Sequence, residues 1–167
     1  MKYHWGFLLL FVAYIRRRNF GGIKYSHKPT GLLVTGAIDD LWINKKGEYI
    51  VVDYKATAKD EAVKELDKEW QDGYKRQMEV YQWLLRQNGL KVSDTGYFVY
   101  CTGKMDGKAF DKRIDFDVNL IAYKGNDSWI EKTLLDIKKC LDKDTIPKSS
   151  KDCDWCTYWN ARNELEK

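Results

Sequence analysis

The chain has 167 residues, of which 44% are hydrophobic and 14% aromatic, enough for a single domain, 1–167, with a buried core. It has two prolines and no low-complexity tract, which argues against a disordered protein. The net charge of +4 permits a polyanionic partner but does not require one.

The N-terminal segment carries the basic charge. Residues 1–38 contain six Lys or Arg residues and no acid. Their stretch GFLLLFVAYI has ten apolar residues, whereas a transmembrane helix needs about 20, and no A-x-A cleavage site follows it. We therefore expect a buried helix or strand beside a basic patch, no stable membrane span and a cytoplasmic protein. An atypical or truncated gene start and a membrane or targeting segment, which would make this a membrane-tethered domain, stay open as alternatives.

Two segments rich in β-branched and aromatic residues, 32–43 and 48–57, flank the sequence NKKG. This pattern predicts a β-hairpin. A three-residue loop at 45–47, with Gly47 in the left-handed conformation, is one of the favoured hairpin connections.

That loop would fix the register of the hairpin, pairing Asn44 with Glu48 and placing Asp39 directly opposite Asp53. Opposed residues have Cβ atoms about 5 Å apart. Two carboxylates at about 4 Å repel by roughly 4 kcal/mol at an effective dielectric constant of about 20. A cation between them would relieve this repulsion, and Mg²⁺ or Mn²⁺ prefers such oxygen ligands. An ordinary ion pair between Asp39 and Lys55 is one alternative, and a one-residue register slip that separates the two acids is another.

Side chains of the second hairpin strand alternate between its two faces. Asp53 and Lys55 therefore project from one face, together with Tyr49 and Val51. The opposite face is the predicted core side and carries Ile50, Val52, Tyr54 and Ala56.

The rest of the chain alternates between predicted helices and strands. In chain order we expect a helix or mobile connection at 59–72, a helix at 74–87, strands at 95–103 and 112–118, a helix at 127–143 with Asp127 or Ser128 as N-cap, and a cysteine-containing tail at 144–167. This order indicates an α/β sandwich.

Three motifs resemble the PD-(D/E)XK nuclease superfamily, and most closely its RecB-like exonucleases and their CRISPR-adaptation relatives. They are G-x-I-D at Gly36–Asp39, D-x-K at Asp53–Lys55 and Q-x-x-x-Y at Gln77–Tyr81. Each motif is weak alone, but the three in this order on consecutive elements are fairly specific. The resemblance covers residues 32–103 and implies a restriction-endonuclease-like α/β core, with a central mixed β-sheet flanked by helices.

The same resemblance implies a metal centre. By position, Asp39 and Asp53 would bind Mg²⁺ or Mn²⁺ together with the carbonyl of Tyr54. Lys55 would orient or activate the attacking water and offset phosphate charge. The reaction would be metal-assisted hydrolysis of a phosphodiester bond.

The helix at 74–87 would complete the site. The resemblance implies that Gln77 and Tyr81, one turn apart, line it and contact DNA or a metal-bound water, which makes Gln77 a catalytic residue. We expect Tyr81 and Arg76 to bind nucleic acid. The alternative is a helix that packs Met78, Tyr81 and Leu85 on the sheet and leaves Gln77 at the border.

One departure from the family pattern lies upstream. The family usually has an N-terminal helix that supplies a Glu or His ligand before the first Asp, and here no acid precedes Asp39. The only histidines are His4 and His27. We expect His27 in a turn that leads into the first strand, with a surface role, and a role as metal ligand is the alternative. We also expect an N-terminal helix that is truncated or atypical.

A second departure concerns the cysteines. Related tails often hold an iron–sulfur cluster through three cysteines and a fourth near the N-terminus, and such a cluster needs four ligands. Here only Cys153 and Cys156 have a suitable spacing, while Cys101 falls in a predicted strand and Cys140 at a helix end. We therefore expect no iron–sulfur cluster and a tail that packs through Trp155, Tyr158 and Trp159, with a relict or partly zinc-bound knuckle at the cysteine pair as the alternative. We expect a buried Cys140 thiol on a helix whose apolar positions face the core: Trp129, Leu134, Ile137 and Leu141.

The function implied by the resemblance is a metal-dependent deoxyribonuclease, a RecB-like exonuclease of DNA repair, recombination or defence. Its partners would be single- or double-stranded DNA and other repair or defence subunits. The alternative is a non-catalytic nucleic-acid-binding module that retains the nuclease fold, with exposed aromatic residues for stacking.

Overall fold

A computed structural model of the chain describes residues 22–59, 61–104, 107 and 112–165. The predictions for the apolar N-terminal segment, the basic residues within it and His4 lie outside this part. The described elements are β1 (Ile23–His27), β2 (Leu32–Gly36), β3 (Asp40–Ile43), β4 (Tyr49–Ala58), α1 (Asp72–Gln87), β5 (Thr95–Gly103), β6 (Phe116–Lys124), α2 (Ile130–Leu141) and α3 (Asp154–Leu165), with one turn of 3-10 helix at Glu69–Gln71.

The central sheet has four strands in the order β3-β4-β5-β6. The β4–β5 pair is parallel, while β3–β4 and β5–β6 are antiparallel. The strands β1 and β2 form a separate antiparallel ribbon. A mixed sheet flanked by helices confirms the predicted α/β fold class.

The register of the β3–β4 hairpin is the predicted one. Gly47 is left-handed, with φ of +71°, and the Asn44 amide donates to the carbonyl of Glu48 at 3.1 Å. Asp40 pairs with Val52, so the preceding residue, Asp39, lies opposite the one that follows Val52, which is Asp53.

The predicted core side of β4 is wrong. The face carrying Tyr49, Val51 and Asp53 is buried and packs in the core with α1, whereas Tyr54 on the other face is 47% exposed. Both faces of β4 are apolar, as is usual where a sheet contains parallel strands, so composition did not reveal which one α1 covers. The second face presents these exposed side chains: Trp42, Tyr54, Phe116, Val118 and Leu120.

Several element boundaries differ from the prediction. The segment 32–43 breaks at 37–39, so β2 and β3 belong to different sheets. The strand expected at 112–118 runs from Phe116 to Lys124 because it pairs along the whole of β5. Most of 59–72 is irregular, and β1 was not predicted.

The C-terminal elements are more exposed than predicted. Leu134 of α2 is buried, but Ile137, Leu141 and Cys140 are exposed. The tail forms α3, yet its Trp155 is 83% exposed, and Tyr158 and Trp159 are also exposed. The prediction that Ile137, Leu141 and Cys140 pack on the core is therefore wrong. The prediction that the tail packs through its aromatic residues is also wrong, because in the described chain α3 buries none of its residues.

A buried carboxylate ties α1 to the segment that follows β6. The Glu79 carboxylate accepts hydrogen bonds from the Tyr123 hydroxyl at 2.6 Å, the Trp129 indole at 2.7 Å and the backbone amide of Asn126 at 3.1 Å. Three donors leave this acid well satisfied although it is buried. Burial, and then the neighbouring Glu79, raise the pKa of Tyr123 well above its ordinary value.

His27 lies at the end of β1 rather than on the surface. Its side chain is buried, and its ring nitrogens lie 2.8 Å from the Thr30 hydroxyl and 2.9 Å from a Glu131 carboxylate oxygen. The predicted surface role is wrong. No helix among the described residues is both long and apolar enough to cross a membrane.

Candidate functional site

The site begins where the chain leaves β2. At Gly36 a Cβ atom would lie 2.7 Å from Cε1 of Tyr81, so only glycine lets the ribbon approach the ring on α1 so closely. The chain then turns, and the Asp39 carboxylate accepts a hydrogen bond from the Tyr54 amide at 3.0 Å. This bond places the Asp39 carboxylate against β4, beside the position of Asp53.

Asp53 occupies the buried face of β4 and is 2% exposed. Its Oδ2 atom lies 2.5 Å from the Lys55 ammonium but receives no well-directed hydrogen bond from any described residue. Burial raises the pKa of Asp53, Lys55 opposes that rise, and the charge of Asp39 adds to it. The two carboxylates therefore interact electrostatically, as expected for opposed strand positions.

Lys55 is held from the helix side. Its ammonium donates to the Gln77 side-chain carbonyl at 3.2 Å, and the Gln77 amide donates to the Tyr81 hydroxyl at 2.8 Å. Burial raises the pKa of Tyr81, the Gln77 bond lowers it, and the charges of Asp53 and Asp39 raise it further. The three motifs thus meet in one cluster, with the acids on the strand side and the amide and phenol on α1.

The acid pair offers part of a coordination shell for a hard divalent cation. The buried Asp53 carboxylate, whose Oδ2 atom faces the Lys55 ammonium, and the adjacent Asp39 carboxylate are the ligand type that Mg²⁺ and Mn²⁺ prefer. The main chain of Tyr54 is at the site, because its amide bonds Asp39. Across the described ranges, no group of three or more His, Cys, Asp or Glu side chains is arranged to hold a metal.

The helix residues divide between site and core. Tyr81 is only 8% exposed, and Met78 and Leu85 are fully buried, so the packing alternative describes this face correctly. Gln77 lies at its border and reaches Lys55. Tyr81 therefore offers little surface to a nucleic acid, whereas Arg76 is exposed on α1.

Sequence reasoning missed one aromatic neighbour of the lysine. The Lys55 ammonium lies over the ring of Tyr74, 4.5 Å from its centroid. Tyr74 precedes Gln77 by three residues, and that spacing places the two side chains on one helix face. The helical periodicity could therefore have identified it.

The cysteines stand apart from this cluster, and all four are free. Cys153 and Cys156 adjoin each other at the start of α3, where the Cys156 amide donates to Cys153 Sγ at 3.4 Å. Hydrogen bonding from Cys156 lowers the pKa of Cys153, while the same contact raises that of Cys156. Cys101 lies in β5 as predicted, but the exposed Cys140 thiol was expected to be buried.

The border position of Gln77 gives a test of its role. If the cluster cleaves DNA as the resemblance implies, we expect Gln77→Ala to reduce the cleavage rate roughly 10- to 100-fold, because the Lys55 ammonium can then move. The free energy of unfolding should fall by less than about 1 kcal/mol. Leu85→Ala should do the reverse and destabilise by about 2–5 kcal/mol. Urea unfolding and single-turnover rates measure the two effects, and equal destabilisation by both variants would assign Gln77 to the core.

Comparison with known proteins identified one family. The sequence model of the PD-(D/E)XK nuclease superfamily matches residues 7–161. No curated protein sequence matches the chain, and no solved structure matches it.

Proposed function

Because this chain belongs to the PD-(D/E)XK nuclease superfamily, we propose that it is a divalent-metal-dependent deoxyribonuclease of the RecB-like exonuclease kind. The superfamily consists generally of nucleases, and its fold implies DNA as the substrate. Metal dependence, the RecB-like branch and a role in repair, recombination or defence are the further parts of the proposal.

One observation carries the proposal: the Lys55 ammonium lies between the buried Asp53 carboxylate and Gln77. Asp39, Asp53 and the Tyr54 carbonyl would hold a Mg²⁺ or Mn²⁺ ion, which would supply Lewis-acid chemistry for phosphodiester hydrolysis. Lys55 would orient the attacking water and offset the negative charge that develops on the phosphate. Its charge acts strongly because the site is partly shielded from solvent.

Gln77 and Tyr81 act as positioning residues. The amide of Gln77 is fixed at both ends, by the Lys55 ammonium and by the Tyr81 hydroxyl. Tyr81 is fixed in turn by its packing against Gly36. The geometry at Lys55 therefore depends on the contact between the β1–β2 ribbon and α1.

A non-catalytic nucleic-acid-binding module is the second candidate. It is favoured by the absence, in the described part of the chain, of a third acidic group beside Asp39 and Asp53. Such a module would bind DNA but would not cleave it with any divalent ion.

A cleavage assay separates the two candidates. Labelled single- and double-stranded DNA is incubated with the protein in Mg²⁺, Mn²⁺ or EDTA. We expect cleavage only in the reactions that contain Mg²⁺ or Mn²⁺. The cleavage rate of Lys55→Met should be lower by about 10²-fold or more. The control variant Lys132→Met changes an exposed lysine of α2 and should cleave normally. Binding without cleavage under every condition would support the module, and undiminished cleavage in EDTA would refute metal dependence.

A further inference from the structure

A groove lies between the connection from β4 to α1 and the strand β6. Its volume is about 830 Å³. One wall includes Lys59, Lys64 and Trp70, and Asp117 and Asn119 of β6 line the other. The Trp70 side chain is 54% exposed, so a large aromatic surface is available to a ligand here.

The Trp70 side chain is held in place by the 3-10 turn that carries it and by Tyr74. It sits on the 3-10 turn, where Gln71 is buried and its side-chain carbonyl accepts a hydrogen bond from the Lys68 amide at 2.9 Å. The Trp70 ring packs edge-to-face on Tyr74, with centroids 5.7 Å apart. An exposed aromatic ring fixed in this way provides a rigid platform, which costs little conformational entropy when a ligand binds.

Tyr74 connects the Trp70 ring, here called the platform, to Lys55. Tyr74 contacts Trp70 on one side and lies under the Lys55 ammonium on the other. The Trp70 and Tyr74 ring centroids are 5.7 Å apart, and the Tyr74 centroid is 4.5 Å from the ammonium. The Trp70 centroid is therefore at most about 10 Å from that ammonium, roughly the length of three stacked nucleotides at about 3.4 Å each. A ligand on Trp70 and a phosphodiester at Lys55 can therefore belong to one DNA strand.

The charges around the groove favour a base over a run of phosphates. Besides its lysines, the lining includes acids of both walls: Glu61, Glu65, Asp67 and Asp117. Lys68 is paired with Asp67 at 2.9 Å. A surface of mixed sign attracts a polyanionic backbone weakly, whereas stacking on an aromatic ring does not depend on charge.

One cation is directed at the ring itself. The Lys59 ammonium lies over Trp70, 5.2 Å from the ring centroid, at cation–π distance. Its flexible four-carbon stem can move the charge from the ring to a neighbouring phosphate when a base occupies the ring face.

We propose that Trp70 stacks an unpaired base of the DNA strand, one to three nucleotides from the phosphodiester held at Lys55, with Lys59 contacting the adjoining phosphate. The inference rests on the proposed nuclease function and gives it a substrate class: DNA with a single-stranded segment at the cleavage site. In an intact duplex both faces of an internal base are already stacked, so such a base cannot occupy the platform.

The test measures binding without cleavage. Fluorescence anisotropy in EDTA gives the Kd of a labelled 12-nucleotide oligothymidine and of the same backbone without bases. We expect Trp70→Ala to weaken oligothymidine binding about 5- to 150-fold, with little change for the abasic strand. Trp70→Phe should retain most of the affinity. The control Trp155→Ala removes a more exposed tryptophan, on α3, and should bind both strands normally.

The outcomes separate this inference from the proposed function. If the wild-type protein cleaves DNA with metal but Trp70→Ala binds oligothymidine as tightly as the wild type does, the stacking site is refuted and the nuclease is not. If the loss is equal for oligothymidine and abasic strands, Trp70 acts through the backbone and the base-stacking claim is also refuted. Base-dependent loss without any metal-dependent cleavage would keep the stacking site and reject the nuclease.

Discussion

We expect Asp53→Asn to abolish metal-dependent DNA cleavage, with a loss of at least about 1,000-fold. The substitution removes one of the two proposed carboxylate ligands, and a catalytic metal contributes several kcal/mol of transition-state stabilisation. DNA binding should change little, because phosphate contacts rather than a metal ligand dominate affinity. Single-turnover rates in Mg²⁺ and Mn²⁺, with anisotropy in EDTA, measure both quantities.

The same variant should not be less stable without metal. Burial raises the pKa of Asp53 in the folded protein, so near that pKa the folded state binds more protons than the unfolded state. The contribution of Asp53 to stability is therefore present below its ordinary pKa and is lost as the pH rises through the raised one. At neutral pH the melting temperature of Asp53→Asn should equal or exceed that of the wild type, and the acid-side pH dependence of unfolding should be reduced.

Undiminished cleavage by purified Asp53→Asn would end this mechanism. A matched control is Asp152→Asn, which changes an exposed acid far along the chain, just before α3. It should retain wild-type rates. If both variants lost activity together with a lower melting temperature, the loss would reflect unfolding rather than chemistry.

The largest effect on stability is expected at Glu79. Glu79→Ala leaves the Tyr123 hydroxyl, the Trp129 indole and the Asn126 amide without their shared acceptor. Hydrogen bonds to a charged group contribute about 1.5–3 kcal/mol each, and they are not additive, so we expect a destabilisation of about 3–5 kcal/mol. For a chain of this size that lowers the melting temperature by roughly 10 °C.

Calorimetry and urea unfolding measure this loss, and a spectroscopic titration adds a second readout. Glu79 helps to raise the pKa of Tyr123, so in a background that remains folded, Glu79→Gln should bring that pKa back toward the ordinary tyrosine value. Glu164→Ala, on the exposed part of α3, is the control and should leave the melting temperature unchanged. A Glu79→Ala protein as stable as the control would show that these bonds contribute little.

The hairpin and the site register were predictable because they depend on local rules. Gly47 accepts a left-handed conformation without strain, and this fixes the loop and with it the position of Asp39 opposite Asp53. The spacing of Gln77 and Tyr81 likewise follows from helix geometry alone.

The predictions that failed concern contacts between elements that are distant in sequence. Period-two alternation in β4 shows that Val51 and Asp53 share a face, but not that α1 covers it. The apolar spacing of α2 likewise does not show that Ile137 and Leu141 stay exposed. Trp70 was missed for a similar reason, because its nearness to Lys55 arises only through its packing on Tyr74, which lies beside the Lys55 ammonium.

The central claim is that Asp39 and Asp53 together hold a divalent metal. The most direct measurement is an electron paramagnetic resonance titration of free Mn²⁺, comparing the wild type with the double variant Asp39→Asn/Asp53→Asn in the absence of DNA. We predict that the wild type removes about one Mn²⁺ per chain from solution and that the double variant removes none. Equal Mn²⁺ binding by the two proteins, or none by either, would contradict the claim.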